Sequence, residues 1–163
     1  MKRIASIQDV SCLGRCSQTV ALPVVSAMGV ECAILPTAVL STHTSFPDFH
    51  CLDLTDQLLP VARHWKAQGV RFDALYTGYL ASDRQVAVVL ELLELLREEG
   101  TLLFVDPAMA DHGKLYAGFG PEFPALMAQV VSKAQITVPN ITEASLMTGL
   151  PYRCLLYTSD AAD

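Results

Sequence analysis

Two carboxylates follow an apolar segment at residues 101–105, at a point where a strand would give way to a turn. Asp106 and Asp111 stand five residues apart there, and a pair of carboxylates beyond a strand end suits a hydrated Mg²⁺ ion or the rim of a phosphate site. The alternative is structural, because Asp106 and Pro107 together form a common turn sequence. Both interpretations remain open on this segment alone.

A second oxygen-rich pair is formed by Asn140 and Glu143, three residues apart at the start of a short helical segment. This spacing places both side chains on one side of a helix, in front of the preceding strand. An amide oxygen and a carboxylate at one point would hold Mg²⁺ through water. A capping box is the alternative, with Asn140 or Thr142 as the cap and Glu143 in the first turn, and it is the more common explanation of this spacing.

Several other binding motifs are absent or incomplete. No G-x-x-x-x-G-K-[ST] sequence occurs, and the turn at residues 9–17 contains one glycine, which excludes the usual dinucleotide fingerprint. Cys12, Cys16, His43, His50 and Cys51 do not have the spacing of a usual zinc site. The five cysteines are odd in number and irregularly spaced, so we interpret them as reduced thiols.

Short apolar runs alternate with helical periodicity, which predicts βαβ units, a parallel sheet and a three-layer α/β fold with helices on both faces. Pro36 predicts an edge strand or a bulge within the second strand. Ligands of such sheets bind beyond the carboxyl ends of the strands. The turns to inspect are therefore residues 9–17, 41–50, 78–82, 106–114 and 139–143.

Composition narrows the class of protein further. The chain has 163 residues, 52% of them hydrophobic and 17% charged, which is typical of one domain with a substantial core. A net charge of −6 argues against a nucleic-acid or anionic-membrane surface. No segment reaches the roughly 18 apolar residues of a membrane span. Residues 1–9 resemble a first strand rather than a signal peptide, so we expect a cytoplasmic protein.

Segments of the sequence occur in an order typical of one enzyme family. They are Ser-Ile-Gln-Asp at 6–9, Leu-Ser-Thr-His-Thr at 40–44, Thr-Gly-Tyr at 77–79, Val-Asp-Pro at 105–107 and Pro-Asn-Ile-Thr-Glu-Ala at 139–144, joined by Asp111 and Tyr116. Over residues 1 to about 152 the chain therefore resembles the pyridoxal and pyridoxamine (vitamin B6) kinases of the ribokinase-like superfamily, and most of all their bacterial pyridoxamine kinase branch.

This resemblance implies a ribokinase-like, Rossmann-like α/β fold that is incomplete on its C-terminal side. It implies transfer of the γ-phosphoryl group of ATP to the 5′-hydroxymethyl group of a B6 vitamer, in pyridoxal 5′-phosphate salvage. ATP and Mg²⁺ are the implied cofactors, with K⁺ as a further candidate, and the full-length form is implied to be a homodimer. Hydroxymethylpyrimidine kinase, which has the same fold, and a non-catalytic α/β binding module are the alternatives.

The resemblance also assigns roles to individual residues. Asp9, Thr44 and Tyr79 would form the pocket for the pyridine ring, and many relatives have Ser at the position of Asp9. His43 is a secondary candidate there, with a buried structural histidine as the alternative. The phosphate and metal end would contain Asp106, Asp111, Asn140, Glu143 and Tyr116, with Asp106 and Glu143 as the Mg²⁺ ligands.

One expected motif is missing. Ribokinase-like kinases place their catalytic Asp in a Gly-x-Gly-Asp turn that opens a later helix, where backbone N–H groups receive the transferring phosphoryl group. The sequence contains no such turn, so we assign no catalytic base within the chain. Residues 153–163 resemble translated adapter sequence, which predicts a non-native tail, a truncated gene and an inactive polypeptide.

Overall fold

The computed structural model describes residues 1–151, and the tail predicted at 153–163 lies outside the described residues. The strands are β1 (Arg3–Ser11), β2 (Glu31–Leu40), β3 (Cys51–Asp53), β4 (Ala74–Thr77), β5 (Leu102–Val105), β6 (Ala110–Asp111), β7 (Lys114–Leu115) and β8 (Ile136–Thr137). The helices are α1 (Gln18–Ala27), α2 (Thr55–Ala67), α3 (Asp83–Leu96), α4 (Phe123–Val131) and α5 (Ile141–Thr148).

The main sheet has the strand order β3-β2-β1-β4-β5-β8 in the described part of the chain. All neighbours from β2 to β8 pair in parallel, which confirms the predicted parallel α/β fold. Strand β3 pairs antiparallel with β2 at one edge and was not predicted. Its three residues are all exposed, so their sequence carries no alternation of apolar and polar side chains.

A β-bulge interrupts the pairing of β1 with β2. Gln8 pairs with Pro36 and Val10 pairs with Val39, so β2 advances by one more residue than β1. This confirms the bulge predicted from Pro36, because proline cannot donate a ladder hydrogen bond. The irregular pairing includes Asp9, and bulges commonly redirect side chains beside functional sites.

The hydrophobic core lies between one face of the sheet and helices α2, α3 and α4. Alternate strand residues point into it, as a period of two requires. The strand contribution comes from Ala5, Ile7, Leu35, Leu75, Leu103 and Val105. The helices contribute Leu58, Ala62, Val86, Val89, Leu92, Leu93, Leu96, Phe123, Met127 and Val130.

Helix α1 packs on β1 and β2 from the opposite face, as helices on both faces require. Gln18 anchors its first turn, since its Nε2 atom donates to the carbonyl oxygen of Ser6 at 2.6 Å. Helix α3 begins as predicted at Ser82, whose hydroxyl accepts from the backbone N–H of Gln85 at 3.2 Å. Across residues 1–151, no helix combines the length and apolar character that a bilayer crossing needs.

Candidate functional site

A cavity of about 740 Å³ opens at the carboxyl ends of the parallel strands. Four of the turns selected from sequence line it, as the strand-end rule for such sheets predicts. The site candidates among its lining residues are Asp9, His43, Thr44, Tyr79, Asp111 and Tyr116. The structure therefore brings together all four predicted ring-pocket residues, whereas Asp106, Asn140 and Glu143 lie outside this lining.

Asp9 is the buried acidic group of the cavity, with 4% of its surface exposed. The Ser11 hydroxyl donates to its Oδ2 atom at 3.1 Å, and the Ser17 hydroxyl donates to its Oδ1 atom. Within residues 1–151, no Lys, Arg or His side chain forms an ion pair with Asp9. A buried carboxylate that has hydroxyl donors but lacks a cationic partner favours a cationic ligand beside it.

Tyr79 forms an aromatic wall of the same cavity. Burial raises the pKa of Tyr79 to about 12, and the charge of Asp9 and, in alkali, the Cys51 thiolate add to that increase. The phenol therefore remains protonated at neutral pH and can donate a hydrogen bond. Its ring packs on Phe119 at a centroid distance of 5.6 Å, and Phe119 stacks on buried Phe123 at 3.9 Å. This stack fixes the plane that Tyr79 presents to a ligand.

The loop that carries Tyr79 is held by Gln85, a residue that the sequence did not identify. Gln85 is fully buried, at 0% exposure, and its Oε1 atom accepts from the backbone N–H of Ala81 at 2.7 Å. Its Nε2 atom donates to the carbonyl oxygen of Thr37 and to the hydroxyl of Thr55, both at 3.0 Å. One side chain thus ties the loop after β4 to β2 and α2.

His43 and Thr44 enter the cavity from the loop between β2 and β3. The His43 Nδ1 atom accepts from the backbone N–H of Ser45 at 3.4 Å, and its ring meets Phe46 edge-on at 4.8 Å. Gly14 approaches this ring closely, because a Cβ atom there would lie 2.7 Å from the His43 Cδ2 atom. His43 is half-buried rather than buried, and it has local partners while it also faces the cavity.

Asp106 lies in a neighbouring cavity of about 340 Å³. Residues 15–17 line both cavities, so the two adjoin each other at the turn between β1 and α1. Burial raises the pKa of Asp106, and a hydrogen bond of 3.2 Å from the backbone N–H of Ala108 opposes that increase. Asp106 therefore shapes its own turn, as the structural alternative proposed, and also faces an open cavity.

Asn140 and Glu143 form the capping box of α5, which confirms the alternative to a metal site that the sequence left open. The Asn140 Oδ1 atom accepts from the N–H of Glu143 at 3.0 Å, and the Glu143 Oε2 atom accepts from the N–H of Asn140 at 2.9 Å. The second Glu143 oxygen accepts from the N–H of Met109 at 3.0 Å. Backbone donors thus occupy both oxygens of this carboxylate.

Asp111 belongs to the small hairpin of β6 and β7, which we did not predict from the sequence, and Tyr116 directly follows β7. Burial raises the pKa of Tyr116, and the charges of Glu143, Asp111 and Asp106 raise it further, so these carboxylates surround one region. Over residues 1–151, however, no group of three or more His, Cys, Asp or Glu side chains is arranged to hold a metal ion. A metal bound here would need water and ligand oxygens to complete its coordination.

No protein-family model matches the chain. A curated relative, the pyridoxine/pyridoxal/pyridoxamine kinase of Bordetella pertussis, is 31% identical over 167 residues, covering 98% of this chain and 58% of the relative. The pyridoxal kinase of Arabidopsis thaliana is 30% identical over 154 residues, covering 91% of this chain and 49% of the relative. The chain spans about half the length of the curated relatives it matches.

Solved structures agree with these sequence relatives. A protein named as a phosphomethylpyrimidine kinase from Bacteroides thetaiotaomicron, in a crystal form with pyridoxal, is 42% identical with a TM-score of 0.89, covering 93% of this chain and 53% of that one. Pyridoxal kinase from Lactobacillus plantarum is 37% identical with a TM-score of 0.85, and the match covers 94% of this chain and 55% of that one. Pyridoxal kinase from Leishmania donovani in complex with ADP and ginkgotoxin is 25% identical with a TM-score of 0.80, and the match covers 99% of this chain and 58% of that one.

The parallel sheet and the polar cavity at its strand ends define an α/β fold of the ribokinase-like class, which the solved pyridoxal kinase structures share. Within that class the chain is a homologue of pyridoxal kinases, of whose length it spans about half.

Proposed function

We propose that this chain carries the vitamer-binding part of a vitamin B6 kinase, which transfers the γ-phosphoryl group of ATP to the 5′-hydroxymethyl group of pyridoxal, pyridoxamine or pyridoxine. The observation that carries the proposal is buried Asp9, which has no ion-pair partner among the described residues and lies in one cavity with the phenol of Tyr79. The related structure with pyridoxal, at 42% identity, supports the same ligand class.

Asp9 pairs with the ring nitrogen of the vitamer in this proposal. An opposite charge within a few ångströms favours the protonated form of a pyridine nitrogen. The two serine hydroxyls on Asp9 leave a carboxylate lone pair for that bond while they hold the side chain in place. Tyr79 contributes its aromatic ring and a phenol that stays protonated, with Thr44 and His43 completing the pocket.

The phosphate end lies at Asp106 and the acidic region around it. A bound Mg²⁺ would neutralise charge on the transferring phosphoryl group. Asp106 fits such an ion through water because one carboxylate oxygen has no described hydrogen bond, whereas both Glu143 oxygens receive backbone N–H groups. We assign Asp106 as the principal contact, with Glu143 supplying charge and Asp111 and Tyr116 on the cavity rim. The ADP complex of the Leishmania relative supports ATP as the donor.

The remaining parts of the proposal rest on the resemblance. No residue of the chain is assigned as catalytic base, because the Gly-x-Gly-Asp turn is absent from its sequence. Residues 1–152 form the N-terminal part of a kinase domain, and 153–163 are a non-native tail. The full-length enzyme is a cytoplasmic homodimer that requires Mg²⁺, with K⁺ as a further candidate cofactor. The alternative substrate is hydroxymethylpyrimidine. The Bacteroides relative is named as a phosphomethylpyrimidine kinase, but its crystal form with pyridoxal favours the B6 vitamer.

A chimera tests this proposal. Residues 1–151 are joined to the complementary part of the Lactobacillus plantarum pyridoxal kinase, which is 37% identical. We expect ATP-dependent phosphorylation of pyridoxal by the chimera and none by the 163-residue chain. A folded chimera that phosphorylates hydroxymethylpyrimidine but not pyridoxal would favour the alternative substrate. A folded chimera that acts on neither compound would contradict the kinase assignment and favour a non-catalytic binding module.

A further inference from the structure

Three side chains at the start of α5 form hydrogen bonds with the backbone of residues 109–113. The Glu143 Oε1 atom accepts from the N–H of Met109 at 3.0 Å, and the Asn140 Nδ2 atom donates to the carbonyl oxygen of Ala110 at 2.7 Å. The Thr142 Oγ1 atom accepts from the N–H of Gly113 at 2.9 Å. Thr142 and Glu143 are each only 2% exposed; the bond from Met109 is buried, and the bonds to Ala110 and from Gly113 are partly buried.

The segment held in this way is the hairpin of β6 and β7, and the hairpin lines the larger cavity. Asp111, His112, Lys114 and Tyr116 from this segment face the cavity. The hairpin itself has only two residue pairs, Ala110 with Leu115 and Asp111 with Lys114. An isolated two-stranded hairpin is marginally stable in water, so its position over the cavity depends on outside anchors.

The geometry of the hairpin turn explains why Gly113 is available to Thr142. His112 and Gly113 have φ angles of 49° and 77°, as the central residues of a two-residue hairpin turn require. In a β-turn the hydrogen bond runs between the first and fourth residues, so the N–H of the third residue takes no part in it. The third residue here is Gly113, and the hydroxyl of Thr142 receives its N–H.

We propose that Thr142 is a positioning residue, which holds the β6–β7 hairpin over the vitamer cavity through the amide of Gly113. The identity of the ligand rests on the proposed function, whereas the contact itself does not. Thr142 is the informative residue of the three, because Asn140 and Glu143 also form the capping box and their loss would disturb α5 as well. Thr142 takes no part in that box.

Hydrogen exchange in the full 163-residue chain tests the contact directly. Thr142→Val keeps the shape of the side chain but removes the acceptor, so we expect the Gly113 amide to exchange about 2- to 10-fold faster. Thr142→Ser should restore the exchange rate of the parent chain. The matched control is Thr148→Val on the same helix, because the Thr148 hydroxyl donates to the carbonyl oxygen of Ala144 and accepts from the N–H of Leu150, and both partners lie outside the hairpin. This control should leave Gly113 unchanged.

The amides of Ile7 and Leu75 report on the core in the same experiment, since both residues are buried in it. If Thr142→Val also speeds exchange there, the comparison is repeated with Thr142→Ala, which lacks both Cγ methyl groups of valine. Unchanged exchange at Gly113 in both variants would overturn the proposal.

Pyridoxal titration of the same proteins tests whether the contact serves the site. We expect Thr142→Val to weaken pyridoxal binding about 2- to 10-fold, with Thr142→Ser and Thr148→Val close to the parent chain. Faster Gly113 exchange with unchanged affinity would overturn the positioning role. If the parent chain binds no pyridoxal, the titration is repeated in the chimera. A chimera that also fails to bind would contradict the proposed function. The contact between Thr142 and Gly113 is still decided by the exchange result.

Discussion

Asp9 on β1 and Tyr79 in the loop after the neighbouring strand β4 face one cavity, and the charge of Asp9 is among the causes that keep the Tyr79 phenol protonated. Burial is the first cause of the raised pKa, and Asp9 is the second. The pair therefore combines a negative acceptor with a neutral donor and an aromatic surface. A protonated aromatic heterocycle can satisfy both residues at once, which is the basis for the first prediction.

Asp9→Asn should weaken pyridoxamine binding by about 1–3 kcal/mol in the chimera, because it removes a charge-assisted hydrogen bond to the ring nitrogen. Calorimetric titration measures the effect. Asp48→Asn is the matched control, since Asp48 is exposed and lies outside the cavity lining. Equal affinities for the parent chimera and Asp9→Asn would rule out the pairing.

The raised pKa of Tyr79 predicts that the free energy of unfolding decreases in alkali. Its pKa is about 12 in the folded chain and its ordinary value is 10, so between these values the unfolded chain releases the proton first. The stabilising contribution is complete below pH 10 and is lost as pH rises towards 12. From the size of the shift it is at most about 3 kcal/mol, reduced by screening because the ring is partly exposed. Urea unfolding at pH 8 and pH 11 should show a smaller decrease in Tyr79→Phe than in the parent chain.

Gln85→Leu should lower the free energy of unfolding by about 2–4 kcal/mol. The substitution leaves the N–H of Ala81 and the carbonyl oxygen of Thr37 without their buried partner, and unsatisfied buried groups are costly. Chemical denaturation measures the change, with Gln57→Leu on the exposed surface of α2 as the control. A similar small effect of both substitutions would show that the Gln85 network contributes little.

Deletion of residues 153–163 should leave the melting temperature unchanged or raise it. The prediction rests on their sequence, which has neither helical nor strand periodicity. Differential scanning calorimetry of the 163-residue chain and the shortened chain makes the comparison. A clear decrease in melting temperature on deletion would show that the segment contributes native structure.

The positions of the ring-pocket residues could be predicted because Thr44 and Tyr79 follow the ends of parallel strands and Asp9 lies near the carboxyl end of β1, which extends two residues beyond it. That topology follows from apolar periodicity. Asp9, Thr44 and Tyr79 therefore meet in one cavity as expected. Gln85 was missed because its partners Thr37 and Thr55 lie 48 and 30 residues away along the chain. A signal was present nonetheless, since Gln85 occupies the same helix face as Val89 and Leu92, where a polar side chain needs a buried partner.

The hairpin of β6 and β7 was missed for a different reason. Its strands have two residues each, too few to show alternation. The only local signal was His112-Gly113, a pair suited to positive φ angles. Asn140 and Glu143 show a different difficulty, because their three-residue spacing is clear in the sequence but predicts both a capping box and a metal site. The structure decides between them, because the backbone N–H of Met109, which is distant in sequence, donates to the second carboxylate oxygen of Glu143.

Strand β8 forms one edge of the main sheet in the described part of the chain, and both of its residues are exposed. Ile136 and the neighbouring Val138 are 41% and 48% exposed, which adds apolar surface beside an edge whose N–H and C=O groups can accept another strand. We therefore expect the separate 163-residue chain to self-associate as its concentration rises. The same edge makes this chain a good acceptor for split-enzyme reconstitution, in which the complementary part of a related kinase is supplied as a separate polypeptide.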